Sequence, residues 1–138
     1  MGRILAIDFG EKRVGLAVTD PLQIIATPLD TIERSEAMDF IQNYCVEEEV
    51  SAIVLGMPKN LDNEDTDATQ GAMRFHKGLQ KRFPDTPIHL EDERFTSKIA
   101  LDTMIQGGTS KKYRRDKSNL DKLSATLILQ TFLERKHT

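Results

Sequence analysis

Residues 4–18 read ILAIDFGEKRVGLAV, and this stretch sets the architecture of the sheet. A short apolar run ends at Asp8, Phe9-Gly10 and a charged turn follow, and an alternating segment covers residues 14–18. Two strands of about six residues joined by a tight turn with a glycine are typical of a β-hairpin. The sequence therefore predicts an antiparallel hairpin with Asp8 at the end of its first strand.

The remaining segments predict a mixed sheet with helices on both faces. A third extended segment spans Ile24–Leu29, and its Pro28 favours an edge position. Periodicity and capping predict helices from a Ser35 cap, over Asp67–Arg82 and Ser97–Ile105, and from about Asn119 to Lys136, with further strands at 52–55 and 88–90. Right-handed crossovers would make these two strands parallel to the first. The expected class is α/β, with three antiparallel strands plus two parallel strands.

Composition indicates one domain over residues 1–138, because 138 residues with 38% hydrophobic content can bury a sizeable core. The net charge is −3, so any attraction to nucleic acid must come from local clusters of basic residues. Cys45 is the single cysteine, which fits a reducing cytosol. No basic stretch leads into a long apolar run at the N-terminus, so we expect a cytoplasmic protein without signal peptide or membrane span.

Acidic residues are predicted to converge at one edge of the sheet. Asp8 ends the first strand, and Glu91-Asp92-Glu93 follow the last one, so parallel strands would bring them to the same edge. Asp121 falls in the first turn of the final helix, in line with the apolar Ala125, and is expected to face inward. An inward acid needs a partner, which a cation would supply.

Oxygen ligands without nearby histidine or cysteine suit Mg²⁺ or Mn²⁺ rather than Zn²⁺. Two such ions about 4 Å apart support in-line hydrolysis of a phosphodiester. Each acid also has a structural interpretation: a turn residue for Asp8, pairing with Arg94 or Lys98 for Glu93, and the helix dipole for Asp121. The residues alone do not decide whether Asp92 or Glu93 is the inward acid.

Basic residues near these acids are candidates for phosphate binding. Residues 111–117 hold five cations and a tyrosine, and Gly107-Gly108 before them would allow a flap to move. Lys59 follows the second parallel strand at the same edge. The alternative is a solvated loop, the commonest role of a charge run.

Four ordered motifs resemble the YqgF/RuvX family over nearly the whole chain. They are Ala6–Gly10 with Lys12–Ala17, Gly56–Pro58 with Asn60, Asp92–Ser97, and Asp121 with Ser124-Ala125. Proteins of that family are described as pre-16S rRNA processing nucleases and as Holliday-junction-resolvase-like nucleases. The resemblance implies a ribonuclease-H-like fold and a catalytic, metal-binding triad of Asp8, Glu93 and Asp121 with Mg²⁺ or Mn²⁺.

The expected function is thus a metal-dependent endonuclease that processes the 5′ end of pre-16S rRNA. Its partner would be nucleic acid, either pre-rRNA or branched DNA, with no membrane, and the protein would be a monomer or homodimer. The expected substrate-binding residues are Lys12, Arg13, Lys59, Asn60, Arg94, Lys111, Lys112, Arg114 and Arg115.

Three alternatives remain beside this function. The first two are a Holliday junction resolvase and a non-catalytic nucleic-acid-binding ribosome-assembly factor. Actin-like and sugar-kinase-like ATPases share the opening motif, but they need a second domain that 138 residues do not provide.

Overall fold

The computed structural model describes residues 2–10, 12–57, 67–92 and 117–136, with the backbone alone at 67–69, 92, 117–122 and 136. These ranges contain five strands and three helices. In chain order they are β1 (Arg3–Phe9), β2 (Arg13–Thr19), β3 (Ala26–Glu33), α1 (Arg34–Glu47), β4 (Val50–Met57), α2 (Asp67–Arg82), β5 (Ile88–Asp92) and α3 (Lys117–Lys136).

The strands form one mixed sheet in the order β3-β2-β1-β4-β5. β1 pairs antiparallel with β2, and β2 pairs antiparallel with β3. β4 is parallel to β1, and β5 is parallel to β4. The predicted sheet of three antiparallel and two parallel strands is confirmed, and the carboxyl ends of β1, β4 and β5 share one edge.

Helices cover both faces of this sheet, as predicted. Leu5, Ile7 and Phe9 of β1 are buried in a cluster with residues of α1 and α2. Ile4 and Ala6 are buried in a second cluster with residues of α3. The alternation along β1 arises because successive strand residues point to opposite faces. The two faces are named below after these helices, the α1/α2 face and the α3 face.

The hairpin turn after β1 depends on Gly10. Its N–H donates to the carbonyl oxygen of Arg13 at 3.0 Å. A Cβ at Gly10 would lie 2.6 Å from the same oxygen, closer than real contacts of this kind. Glycine is therefore required for the close approach that returns the chain into β2.

The third strand begins later than the predicted Ile24 and runs to Glu33. The cause is Asp20, whose carboxylate accepts N–H groups from Leu22 at 3.1 Å, Ile24 at 2.8 Å and Ile25 at 2.7 Å. These bonds hold the segment in a turn instead of a strand. Pro28 lies in β3, an edge strand, as predicted.

The predicted Ser35 cap was wrong, and the predicted start of the final helix near Asn119 lies two residues late. α1 begins at Arg34, so Ser35 lies inside the helix, and the capping residue Glu33 makes no side-chain cap bond. The chain turns there because the Arg34 N–H donates to the Lys12 carbonyl oxygen at 3.0 Å. α3 begins at Lys117, before the predicted Asn119, so the first turn holds no acid and Asp121 follows in the second.

The position of Asp121 in the second turn of α3 weakens its interpretation as a helix-dipole residue, since that effect fades after the first turn. The predicted α2, by contrast, has the bounds expected from the sequence. The predicted helix Ser97–Ile105, the Gly107-Gly108 hinge and the basic loop lie outside the described residues.

Candidate active site at the carboxyl edge of the sheet

Asp8 lies between two glycines near the end of β1. It pairs with Gly15 of β2 on one side and with Gly56 of β4 on the other. Paired residues of neighbouring strands project to the same face, so the nearest cross-strand positions beside the carboxylate carry no side chain. Asp8 itself is partly buried and lies in line with Ile4 and Ala6, on the α3 face. This arrangement leaves lateral room for a ligand at the carboxylate.

Glu91 occupies the same row of the sheet as Asp8. Gly56 pairs with Asp8 and also with Glu91, so two strand spacings, about 10 Å, separate the two acids along the row. The predicted convergence of acids from β1 and β5 on one edge is therefore present in the backbone. The prediction placed Glu91 and Asp92 after the strand, whereas β5 contains both.

A structural role explains Glu91. Its side chain is only 5% exposed and forms an ion pair with Arg135 of α3. Two residues earlier on that face, the His89 ring lies 4.9 Å from the Phe132 ring of the same helix. The pair therefore neutralises a buried charge and ties β5 to α3, which is why a charged residue can lie within the strand.

The choice between Asp92 and Glu93 stays a prediction. Asp92 pairs with Met57, one position beyond the row that contains Asp8 and Gly56. Glu93 lies outside the described residues. The register therefore places the backbone of Asp92 outside the Asp8 row and leaves the role of Glu93 to experiment.

Asp121 lies on a helix that packs beside β1. α3 contacts β1, β2 and β3, and its Ala125 is buried in the same cluster as Ala6 and Ala17. Those two alanines pair with each other, and the next pair on that face is Asp8 with Gly15. Asp121 precedes Ala125 by one helical turn, about 6 Å along the axis. The backbone is thus compatible with the predicted triad, although the Asp121 side chain is not described.

No group of three or more histidine, cysteine, aspartate or glutamate side chains forms a metal-binding cluster among the described residues. Two of the three predicted ligands have side chains outside that part of the chain. The metal triad therefore remains a prediction that rests on Asp8 and on the course of β5 and α3.

Two predicted substrate-binding residues line a groove at the hairpin turn. Lys12 and Arg13 lie there with Glu33, Arg34 and Ser35, around an open volume of about 920 Å³. Sequence reasoning missed Arg34, because it joins Lys12 only through the pairing of β2 with β3. The other predicted substrate contacts lie outside the described residues: Lys59, Asn60, Arg94, Lys111, Lys112, Arg114 and Arg115.

The helices α1, α2 and α3, as far as they are described, include none with the length and apolar character needed to span a membrane.

Two solved structures share the fold of this chain over most of its length. RuvC of Thermus thermophilus in complex with a Holliday junction substrate matches with a TM-score of 0.62 and 14% identity, covering 99% of this chain and 96% of that one. A second structure of Thermus thermophilus RuvC matches with a TM-score of 0.59 and 15% identity, covering 99% and 97%. The likeness confirms the ribonuclease-H-like fold.

Sequence relatives are much more similar. A protein of Amoebophilus asiaticus is 52% identical over 133 residues, covering 96% of this chain and 94% of the relative. One of Bacteroides fragilis is 47% identical over 136 residues, covering 99% of each. Both carry the name "Putative pre-16S rRNA nuclease". The profile of the family described as "RuvX: Holliday junction resolvase" matches residues 2–135, so this chain belongs to the RuvX family.

Proposed function

We propose that this chain is a metal-dependent endonuclease that hydrolyses phosphodiester bonds of structured nucleic acid in the cytosol, and that its substrate is the 5′ region of pre-16S rRNA. The observation that carries the proposal is Asp8, held between Gly15 and Gly56 at the edge where β5 also ends. Membership of the RuvX family supports the reaction class, and the names of the relatives support the RNA substrate.

Asp8, Glu93 and Asp121 would hold Mg²⁺ or Mn²⁺. The donors are all carboxylate oxygens, which suits these hard cations. A divalent cation bound there would polarise the phosphodiester and lower the pKa of an attacking water. Gly15 and Gly56 add no side chains at the two cross-strand positions beside Asp8, which leaves room in the row for a cation and the phosphate bound to it.

Basic residues around this edge would bind the substrate backbone. Lys12 and Arg13 line the groove beside the hairpin turn, on the chain segment that returns from Asp8 into β2. The predicted contacts at Lys59, Asn60, Arg94 and the basic loop would extend that surface. Cationic side chains bind nucleic acid by releasing condensed counterions, whatever the base sequence.

A second candidate is resolution of branched DNA. The family description names a Holliday junction resolvase, and the fold matches that of RuvC bound to such a junction. That fold is shared at 14% identity, which says nothing about substrate. We therefore favour RNA on the names of the far more similar relatives.

A substrate panel tests the proposal. End-labelled pre-16S rRNA 5′ leader, a four-way DNA junction and single strands of each are incubated with the protein in Mg²⁺, Mn²⁺ or EDTA. We expect cleavage of the RNA leader in either metal and none in EDTA. Preferential cutting of the junction would favour the resolvase, and binding without cleavage of any probe would favour the non-catalytic assembly factor.

A further inference from the structure

We propose that Arg34 anchors a backbone phosphate of the substrate strand, acting with Lys12 and Arg13 in the groove at the hairpin turn. The inference rests on the proposed nuclease function and adds a binding residue to it. The groove, called here the Arg34 groove, is lined by Lys12, Arg13, Glu33, Arg34 and Ser35.

The Arg34 groove concentrates positive charge in an acidic protein. Among the residues that the structure describes, its lining has three cations, Lys12, Arg13 and Arg34, and one carboxylate, Glu33, whereas the whole chain has a net charge of −3. Pairing of Arg13 with Glu33 across β2 and β3 brings the two chain segments together. The bond from the Arg34 N–H to the Lys12 carbonyl oxygen then fixes the start of α1 beside the turn. This is the local clustering that an acidic nucleic-acid-binding protein requires.

The guanidinium of Arg34 is held in place by the protein core. Its central carbon lies 4.5 Å from the centroid of the Phe9 ring, a cation–π contact. The Phe9 ring lies 4.9 Å from that of Phe75 on α2, which fixes the aromatic platform. A Cβ at Gly71 of α2 would lie only 2.5 Å from Nη2 of Arg34, so the guanidinium rests directly against the helix backbone.

These contacts with Phe9 and α2 make the Arg34 guanidinium suitable for binding a phosphate. Stacking uses the flat face of the guanidinium, whereas phosphate binding uses the N–H groups in its plane. Arg34 remains exposed to solvent despite the contacts with Phe9 and α2. A side chain that is already ordered loses less conformational entropy when it binds. Arg34 is therefore better prepared to hold a phosphate than a freely moving surface lysine.

The Arg34 groove and the candidate catalytic carboxylate lie at the same end of β1. Phe9, which supports Arg34, directly follows Asp8 in the chain. Asp8 lies on the α3 face, and Phe9 is buried on the α1/α2 face. A nucleic acid strand that crosses this edge of the sheet would reach both. Backbone phosphates are the partner that the groove fits, because its charge is matched by their regular negative charge.

Binding of a fluorescein-labelled pre-16S rRNA 5′ leader and of a labelled four-way DNA junction tests the inference. Affinities are measured in EDTA over a salt series for wild type, Arg34→Gln and Arg34→Lys. We expect Arg34→Gln to weaken binding by about tenfold and to flatten the slope of log affinity against log salt by roughly 0.7 to 0.9. Arg34→Lys should keep the slope but bind less tightly than wild type, since it keeps the charge without the planar fork.

Gly71→Ala provides an independent test without altering any charge, and Gly78→Ala is its matched control on the same helix. The Gly71 methyl would displace the Arg34 guanidinium, whereas a methyl at Gly78 would meet the flexible end of Met38 at 3.0 Å. We expect weaker binding for Gly71→Ala and unchanged binding for Gly78→Ala. Thermal unfolding of each variant separates an effect on binding from an effect on the fold.

The outcomes distinguish the two proposals. If the wild-type protein binds the probes and Arg34→Gln binds them with the same affinity and the same salt slope, the proposed role of Arg34 is overturned. The nuclease proposal is then unaffected. A wild-type protein that neither binds nor cleaves any probe would overturn both. Equal affinities of the Gly71→Ala and Gly78→Ala variants would refute the claim that the contacts of Arg34 with Phe9 and α2 contribute to binding.

Discussion

Glu91 and Arg135 form an ion pair that joins strand β5 to helix α3. Glu91 is 5% exposed, whereas Arg135 is 64% exposed, so the pair holds a buried carboxylate with a cation at the surface. The contact joins the helix that carries Asp121 to the strand that leads into Glu93. It therefore fixes the position of α3 relative to the edge where β5 ends.

Removal of Arg135 should destabilise the protein. Arg135→Ala leaves the Glu91 carboxylate buried without this cation, and we expect the free energy of unfolding to fall by about 1–3 kcal/mol. Glu134→Ala, at the exposed neighbouring position, is the matched control and should change it by less than about 0.5 kcal/mol. Urea unfolding at neutral pH measures both, and equal values for the two variants would refute a structural role for the pair.

The two acids at the end of β5 should differ in function. We expect Glu93→Gln to abolish metal-dependent cleavage and Asp92→Asn to preserve it, because Asp92 is out of register with the Asp8 row. Both changes remove one charge and nearly preserve shape, so each serves as the control for the other. Cleavage rates of the labelled RNA leader distinguish the two variants. The reverse result would reassign the metal-binding carboxylate from Glu93 to Asp92.

Low pH should weaken the turn between β2 and β3, because it protonates Asp20. Hydrogen bonds from backbone N–H groups, the bond from Ile25 foremost, lower the pKa of Asp20 below its usual 3.8, although desolvation opposes them. The charged form is favoured in the folded state, so the stabilisation is full above pH 3.8 and is lost as the pH falls further through the folded pKa.

The difference in unfolding free energy between wild type and Asp20→Asn measures this contribution. We expect the difference to be largest near neutral pH and to shrink below pH 3.8. Asp85→Asn, which removes the same charge from an exposed turn, corrects for net charge. A difference that stays constant over the whole pH range would exclude the proposed linkage.

The basic loop should contribute to substrate binding rather than to stability. Neutralising the four cations Lys111, Lys112, Arg114 and Arg115 should flatten the salt dependence of log affinity by roughly 0.7 to 0.9 for each phosphate that the variant no longer binds. Solvated charges contribute little to folding, so thermal stability should change far less. An unchanged slope in the quadruple variant would make the loop a solvated connection.

Most of the sheet was predictable because its signals are local. β1 and β4 are apolar runs buried on both faces, and α2 shows a clear helical period with Ala72, Phe75 and Leu79 buried. Local patterns also placed Asp8 at a strand end. These features depend on neighbours in sequence, which a pattern of residues records directly.

The errors arose where distant residues decide the structure. Glu91 looks like a residue beyond the strand, but Arg135, contributed by α3, allows β5 to continue through it. Arg34 joins the groove only through the register of β2 with β3. The late start of β3 depends on several bonds to the single carboxylate of Asp20. Each case depends on side-chain contacts or strand pairing that the periodic pattern of apolar residues in the sequence does not reveal.

Cleavage by Asp8→Asn is the decisive test of the proposed nuclease, with Asp39→Asn, an exposed acid of α1, as the control. Rates on the labelled pre-16S rRNA leader are measured at saturating Mn²⁺, with thermal unfolding to verify the fold. We expect the rate to fall by more than about 100-fold for Asp8→Asn, since even changes behind metal ligands cost roughly 10- to 100-fold. Asp39→Asn should cleave at the wild-type rate. A folded Asp8→Asn protein that also cleaves at the wild-type rate would refute the assignment of Asp8 as a metal ligand and catalytic residue.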